Sequence, residues 1–154
     1  MYRRLFAALV CTVLLSTATA HARPSVEGHR GPLAGIPRLT DDRGRALTLR
    51  GWNVEDKAHR GEAALSAIGE RHFRDLRARG FDFARLLVFW DDLEPERGRY
   101  SERYLRSIER ILDWAHKHHI QVLIDAHQDV FGPAFGHRGI PEWATRTDGL
   151  PFTP

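Results

Sequence analysis

Cysteine is nearly absent from this chain. Cys11 is the single one in 154 residues, and it lies in a segment expected to be cleaved. A mature chain without cysteine has no disulfide to rely on, so its stability must come from a packed core. Long apolar runs are missing as well. The run over residues 5–15 is too short to span a bilayer as a helix, and stable membrane insertion is not expected. What residues 1–22 do carry is the anatomy of a signal peptide. Arg3 and Arg4 come first, then the apolar run, then Ala20-His21-Ala22 as an A-x-A cleavage site. Cys11 sits inside the apolar run and not at the cleavage junction, which argues against a lipid anchor. The mature chain is therefore expected to be secreted or periplasmic. An excess of one charge is the third absence. The chain has 23 Lys+Arg against 20 Asp+Glu, and Arg3 and Arg4 leave with the leader, which brings the balance close to neutral. Such a surface gives no reason to expect a nucleic-acid partner.

Internal repeats and low-complexity tracts are absent too. Residues 23–37, rich in Pro, Gly and Arg, are expected to be a flexible linker, and 38–154 the folded part. From 39 to 54 the pattern suggests a hairpin. Asp41-Asp42-Arg43-Gly44 supplies the turn, and 46–54 (ALTLRGWNV) a strand entering the core, with Gly51 permitting close backbone approach. Lys57 follows just past that strand; taken alone, a lysine there reads as solvated surface. Residues 62–79 carry the apolar spacing of a helix stopped by Gly80. Residues 81–90 (FDFARLLVFW) form an almost continuously apolar strand, broken by Arg85. An arginine in a buried strand is costly unless a carboxylate faces it, so the face shared by Arg85, Leu87 and Phe89 should hold an acidic partner; the alternative is that Arg85, near the start of the strand, reaches solvent. A loop over 91–99 leads to Ser101, which can cap a helix over 102–118. There Tyr104, Leu105, Ile108, Ile111, Leu112 and Ala115 make one apolar stripe. The run His116-Lys117-His118-His119 at its end has no acid within it and suits a helix C-terminus better than a metal.

The chemistry concentrates in residues 120–139, IQVLIDAHQDVFGPAFGHRG. The apolar start, Val122-Leu123-Ile124, reads as a strand buried on both faces. It turns abruptly polar, and strand alternation puts Leu123, Asp125, His127 and Asp129 on one face if the strand runs that far. Leu123 is expected deep in the core, with the three ionisable groups above it. A Gly/Pro/aromatic loop follows, suited to lining a cleft. A plainer alternative is that these groups merely end a core strand and meet water. A metal site using His127 and Asp129 is another, although no further ligand stands at diagnostic spacing. After the loop, Ile140-Pro141-Glu142-Trp143-Ala144 begins a short helix, with Pro141 near its first turn.

Strand–helix alternation with apolar strands implies a parallel sheet, and ligands in such folds bind at the carboxyl ends of the strands. Three parallel strands and two helices leave edges open, and a (β/α)8 TIM barrel needs on the order of 250 residues. The expectation is therefore an α/β fold corresponding to the first three β/α units of such a barrel, truncated.

The segments LRGWNVEDK, GFDFARLLVFWDDLEPERGRY, VLIDAHQDVFG and FGHRGIPEWA, in this order, resemble glycoside hydrolase family 5, a cellulase-like family, and within it the endoglycoceramidase-related branch. The resemblance covers most of the mature chain, from about residue 47 to 144. It implies a TIM barrel, no cofactor, and a retaining glycosidase acting on β-glycosides, with a carbohydrate or glycolipid as partner. It also implies that Arg85 supports the nucleophile, that His127 belongs to the cleft, and that Lys57, Asp125 and Asp129 contact the sugar next to the lipid. One departure matters. Retaining hydrolysis needs two carboxyl groups about 5 Å apart, which the family takes from an Asn-Glu after strand four and a Glu after strand seven. Neither segment occurs here, and Glu94 and Glu142 match neither position. Both the acid/base Glu and the nucleophilic Glu are expected beyond Pro154. No catalytic carboxyl and no metal ligand are assigned in these 154 residues, and the fragment alone is expected to be inactive. The other readings are a non-catalytic sugar-binding half-barrel and a metal-dependent hydrolase using His127 and Asp129.

Overall fold

A computed structural model describes residues 25–27 and 38–151. The expected signal peptide and most of the expected linker lie outside the described residues. So does Pro154, beyond which the two catalytic carboxyls are expected. The chain divides into two compact units at Leu47 and Thr48. In the first, β1 (Ser25–Glu27) pairs antiparallel with β2 (Arg38–Thr40), so part of the stretch read as linker is a strand. Thr40 also bridges Ala46 in antiparallel sense, around the expected turn. Asp41 holds that turn, accepting the Arg43 and Arg45 amides at 3.0 and 2.9 Å and the Arg45 Nε at 2.7 Å. The long strand expected over 46–54 does not form. The ladder stops after one bridge, and only Gly51–Val54 is a strand.

That strand, β3 (Gly51–Val54), opens the second unit. It is followed by α1 (Glu70–Ala78), β4 (Phe83–Phe89), the one-turn α2 (Trp90–Leu93), α3 (Glu102–Lys117) and β5 (Gln121–His127). The three strands lie in the order β3-β4-β5, both pairs parallel. β4 is central and buried, as its apolar sequence demands. Its even face, Ala84, Leu86 and Val88, packs under Phe73 of α1 and Tyr104, Ile111 and Ala115 of α3. Gly51 is required where it stands, because a Cβ there would meet the Phe83 carbonyl oxygen at 2.2 Å.

Three expectations are corrected. The helix read from 62 begins only at Glu70. Before it, Gly61–Ala63 is a 3-10 turn and Leu65 takes φ 64°, because Ala64, Leu65 and Ile68 leave helical spacing to fill the core. Leu123 is not deep in the core. It is 49% exposed and its neighbour Ile124 51%, since β5 is an outer strand and no described element covers either face at that point. Strand β5 also ends at His127, so Asp129 stands in the loop and not on the strand. The remaining outline holds. Ser101 caps α3 by accepting the Tyr104 amide at 3.2 Å, and Pro141 precedes a single 3-10 turn, Glu142–Ala144.

Candidate active site

The functional side chains run from the first half of β4 up to the carboxyl end of β5 and the loops beyond it. Arg85 is carried by β4 and Asp125 by β5. Parallel register sets Arg85 opposite Leu123 and Leu87 opposite Asp125, so the two groups meet on the diagonal. Arg85 Nη2 lies 2.8 Å from Asp125 Oδ2, which supplies the acidic partner the strand required. Two residues on, His127 shares the face, and its Nδ1 lies 2.7 Å from the same Asp125 oxygen. On the other side of the ring, Nε2 is 3.4 Å from Asp129 Oδ1. Lys57, from the loop after β3, donates to that oxygen at 2.9 Å.

The result is one continuous chain of polar and charged groups, Arg85–Asp125–His127–Asp129–Lys57, drawn from two strands and the two loops that follow β3 and β5. All five side chains keep solvent access, from 18% at His127 to 42% at Lys57. The Lys57 hydrogen bond holds the Asp129 carboxyl below the usual carboxylate range, with His127 adding to the effect. Charged donors and acceptors that are organised yet open can exchange partners for sugar hydroxyls.

A second ionic cluster lies directly behind. Arg138, 4% exposed, pairs with Asp92, which in turn accepts the Gly61 amide at 2.9 Å. Arg138 Nη1 donates to the carbonyls of Asp56 and His59 at 3.0 and 3.1 Å. Its guanidinium stacks 3.8 Å from the Phe89 ring centroid, and Phe89 meets His127 edge to face at 5.6 Å. Burial draws the Arg138 guanidinium down from its usual range, but it remains a cation. Burial pushes the neighbouring Asp91 carboxyl up, while the Gly139 amide, which donates to it at 3.1 Å, works the other way. Sequence reasoning missed this cluster. The signal was there: an acidic pair, Asp91-Asp92, directly after an apolar strand, and a lone arginine between glycines and aromatics.

The loop after β5 is tightly specified. Asp129 donates its amide to the Arg138 carbonyl at 2.8 Å, and Ile140 donates to the Phe131 carbonyl at 2.9 Å. A Cβ on Gly139, at φ 140°, would lie 2.5 Å from the Gln128 Cβ, so the return of the loop demands glycine. Val130 and Phe131 adopt φ 46° and 72° and remain 56% and 48% exposed.

The two loop carboxylates do not supply a catalytic pair. Glu94 is buried, its oxygens taken by Trp90 Nε1 and the Gly98 amide, both at 2.7 Å. Glu142 is exposed at the start of its 3-10 turn. Among the described residues no group of three or more His, Cys, Asp or Glu side chains is gathered so as to hold a metal ion. A large cavity, about 790 Å³, lies away from the charged chain, between β3 and α1, against Trp52, Val54, Leu76 and Phe81.

Comparison with known proteins gives the family of the chain. Endoglycoceramidase I of Rhodococcus hoagii (strain 103S) is 33% identical over 116 residues, 75% of this chain and 24% of its own length. A solved structure of endo-glycoceramidase II from Rhodococcus sp. in complex with ganglioside GM3 superposes with a TM-score of 0.62 at 33% identity, covering 76% of this chain and 29% of that one. A crystal structure of endogalactoceramidase gives 0.65 at 29% identity, covering 74% and 30%. The chain thus spans about a quarter of the length of the curated relatives it matches. The likeness implies a TIM barrel, with the three parallel strands as part of it. The profile described as Cellulase (glycosyl hydrolase family 5) matches residues 41–150, and the chain belongs to that family.

Proposed function

We infer that this chain carries the sugar-binding wall of a secreted retaining β-glycosidase that acts on glycolipids of the glycosylceramide type. The observation that carries the reading is the charged chain from Arg85 to Lys57, solvent-accessible and leading to the loops beyond the carboxyl ends of β3 and β5. Lys57, Asp125 and Asp129 anchor hydroxyls of the sugar adjoining the lipid by charge-assisted hydrogen bonds. Arg85, already oriented by Asp125, stands ready to orient an anionic nucleophile, and His127 fixes the spacing between the two aspartates. The acid/base and nucleophilic carboxyls come from beyond Pro154. Residues 1–22 direct export, and the mature chain begins at Arg23.

The test uses the full-length protein with glucosylceramide in detergent and an aryl β-glucoside as substrates. Release of sugar from both is expected, with Asp129→Asn raising KM and Arg85→Ala lowering kcat more than it raises KM. Hydrolysis of neither substrate would sink the glycosidase reading. N-terminal sequencing of exported protein that retains residues 5–15 would sink the export reading.

A further inference from the structure

We propose that Arg138 is the positioning residue for the outer part of the sugar-binding wall, setting Lys57, His127 and Asp129 by three separate routes. The identity of the bound group rests on the glycosidase reading, but the positioning does not. Toward Lys57, Arg138 Nη1 holds the carbonyl of the adjoining residue, Asp56, at 3.0 Å and that of His59 at 3.1 Å. Both ends of the turn that presents the lysine are thereby fixed. Toward His127, the guanidinium carbon sits over the Phe89 ring, 3.8 Å from its centroid, and the same ring meets the imidazole edge to face at 5.6 Å. Toward Asp129, the Arg138 carbonyl accepts the aspartate's own amide at 2.8 Å.

Asp92 is the anchor that makes this possible. It lies in α2 directly after β4, is 7% exposed, and holds the Gly61 amide with one oxygen and Arg138 with the other. Only a planar fork with several donors can bridge two carbonyls and a carboxylate while stacking on a ring. A lysine at 138 offers the charge but not this geometry. Arg138 Nε is buried with no hydrogen-bond partner among the described residues. The guanidinium therefore forgoes one hydrogen bond in this position, which its stacking on Phe89 offsets. None of these contacts involves a bound sugar. Arg138 acts through the residues that would touch it.

The experiment compares Arg138→Lys with wild type in the full-length protein. Lysine keeps the charge opposite Asp92 and loses the two carbonyl contacts and the stack. Well below the melting temperature, KM for an aryl β-cellobioside should rise on the order of tenfold, short of the roughly 10²-fold that a full 1 Å misplacement can cost. The ring ¹⁵N resonances of His127, assigned by their loss in His127→Gln, should move away from their wild-type positions. A residue that only supports the fold lowers the folded fraction and kcat with it, leaving KM and the His127 resonances where they were. That result would overturn the proposal. Ile111→Val, in the core away from these loops, shows how far lost stability alone moves both readouts, and an equal shift in both variants also overturns it. Should Arg138→Lys fail to fold, Asp92→Asn frees the guanidinium isosterically and must move the His127 resonances; unmoved resonances there decide against the proposal. A wild-type protein inactive on the cellobioside would dispose of the glycosidase reading, and the His127 comparison would still decide on Arg138.

Discussion

Two ionic clusters sit back to back at the carboxyl end of this sheet, built from the same residue types and put to opposite use. In the inner one, Arg138 and Asp92 have side chains 4% and 5% exposed, and nearly every polar atom is committed to backbone or to its partner. In the outer one, Lys57 and Asp129 are 42% and 31% exposed and hold each other by one hydrogen bond. Burial makes the inner pair rigid and intolerant of change, because removing one partner strands a charge in low dielectric. Exposure makes the outer pair weak, because water screens it, and for that reason exchangeable with a ligand. The difference teaches that charge in a site serves two ends, and that burial tells them apart.

The largest effect should come from breaking the inner cluster. Arg138→Met leaves Asp92 as an uncompensated buried carboxylate, and a loss of about 3–5 kcal/mol is expected in urea unfolding. A loss no greater than that of an outer-cluster variant would erase the distinction. A smaller, still sizeable effect is expected at Tyr104, which is 2% exposed and whose hydroxyl accepts the Phe89 amide at 3.0 Å. Phe89 is the ring between the two clusters. Tyr104→Phe leaves that buried amide without an acceptor and should cost about 1–3 kcal/mol. Hydrogen exchange at Phe89 should quicken more than at Leu86, which keeps its ladder bonds.

How much of this was legible in advance follows the same division. Local patterns gave away α3 and its Ser101 cap, the buried strand β4, and the need of Arg85 for a carboxylate, now found in Asp125. Those features depend on spacing within one segment and on the pull of a carboxylate on a cation in the neighbouring strand, although the Arg85 side chain keeps 37% of its surface open and is not buried. The inner cluster was not legible. It joins Asp56, His59, Asp92 and Arg138, which are up to 82 residues apart, and no periodicity relates them. Leu123 failed for a related reason. Its apolar run reads as core, but burial depends on what packs over the strand, and 49% of its surface stays open. The start of α1 was misread because Leu65 and Ile68 serve the core outside a helix, where tertiary packing overrides spacing.

A third prediction sharpens the contrast from the outer side. Asp129→Asn removes a charge from the exposed cluster without stranding one in the interior, since Lys57 simply turns to water. Stability should change by less than about 1 kcal/mol, while sugar affinity falls. A drop in melting temperature comparable to that of Tyr104→Phe would show that Asp129 is structural.

The smallest effect separates the clusters by pH. Lys57 holds the Asp129 carboxyl below its ordinary value of 3.8, with His127 assisting. A carboxyl depressed by folding contributes stability that is fully present above 3.8 and is lost as pH falls through the lower folded value. Tyr104, beneath the inner cluster, moves the other way. Burial raises its hydroxyl from 10.0 to about 12, so its contribution is fully present below 10.0 and is lost as pH rises through about 12. The outer cluster should therefore weaken at the acid end and the support of the inner one at the alkaline end. Other carboxyls held below their ordinary range, at Glu70 and Glu94, also lose stability in acid, so the whole-protein curve cannot isolate Asp129. The difference between wild type and Lys57→Met can. Without the lysine, the Asp129 carboxyl should titrate closer to 3.8, and the two stability curves should differ by a small constant above that pH and converge below it. Curves that stay parallel through the acid range would mean that the Lys57–Asp129 contact adds nothing to the fold. Curves that diverge at the alkaline end instead would place Lys57 with Tyr104, and the two clusters would then be one.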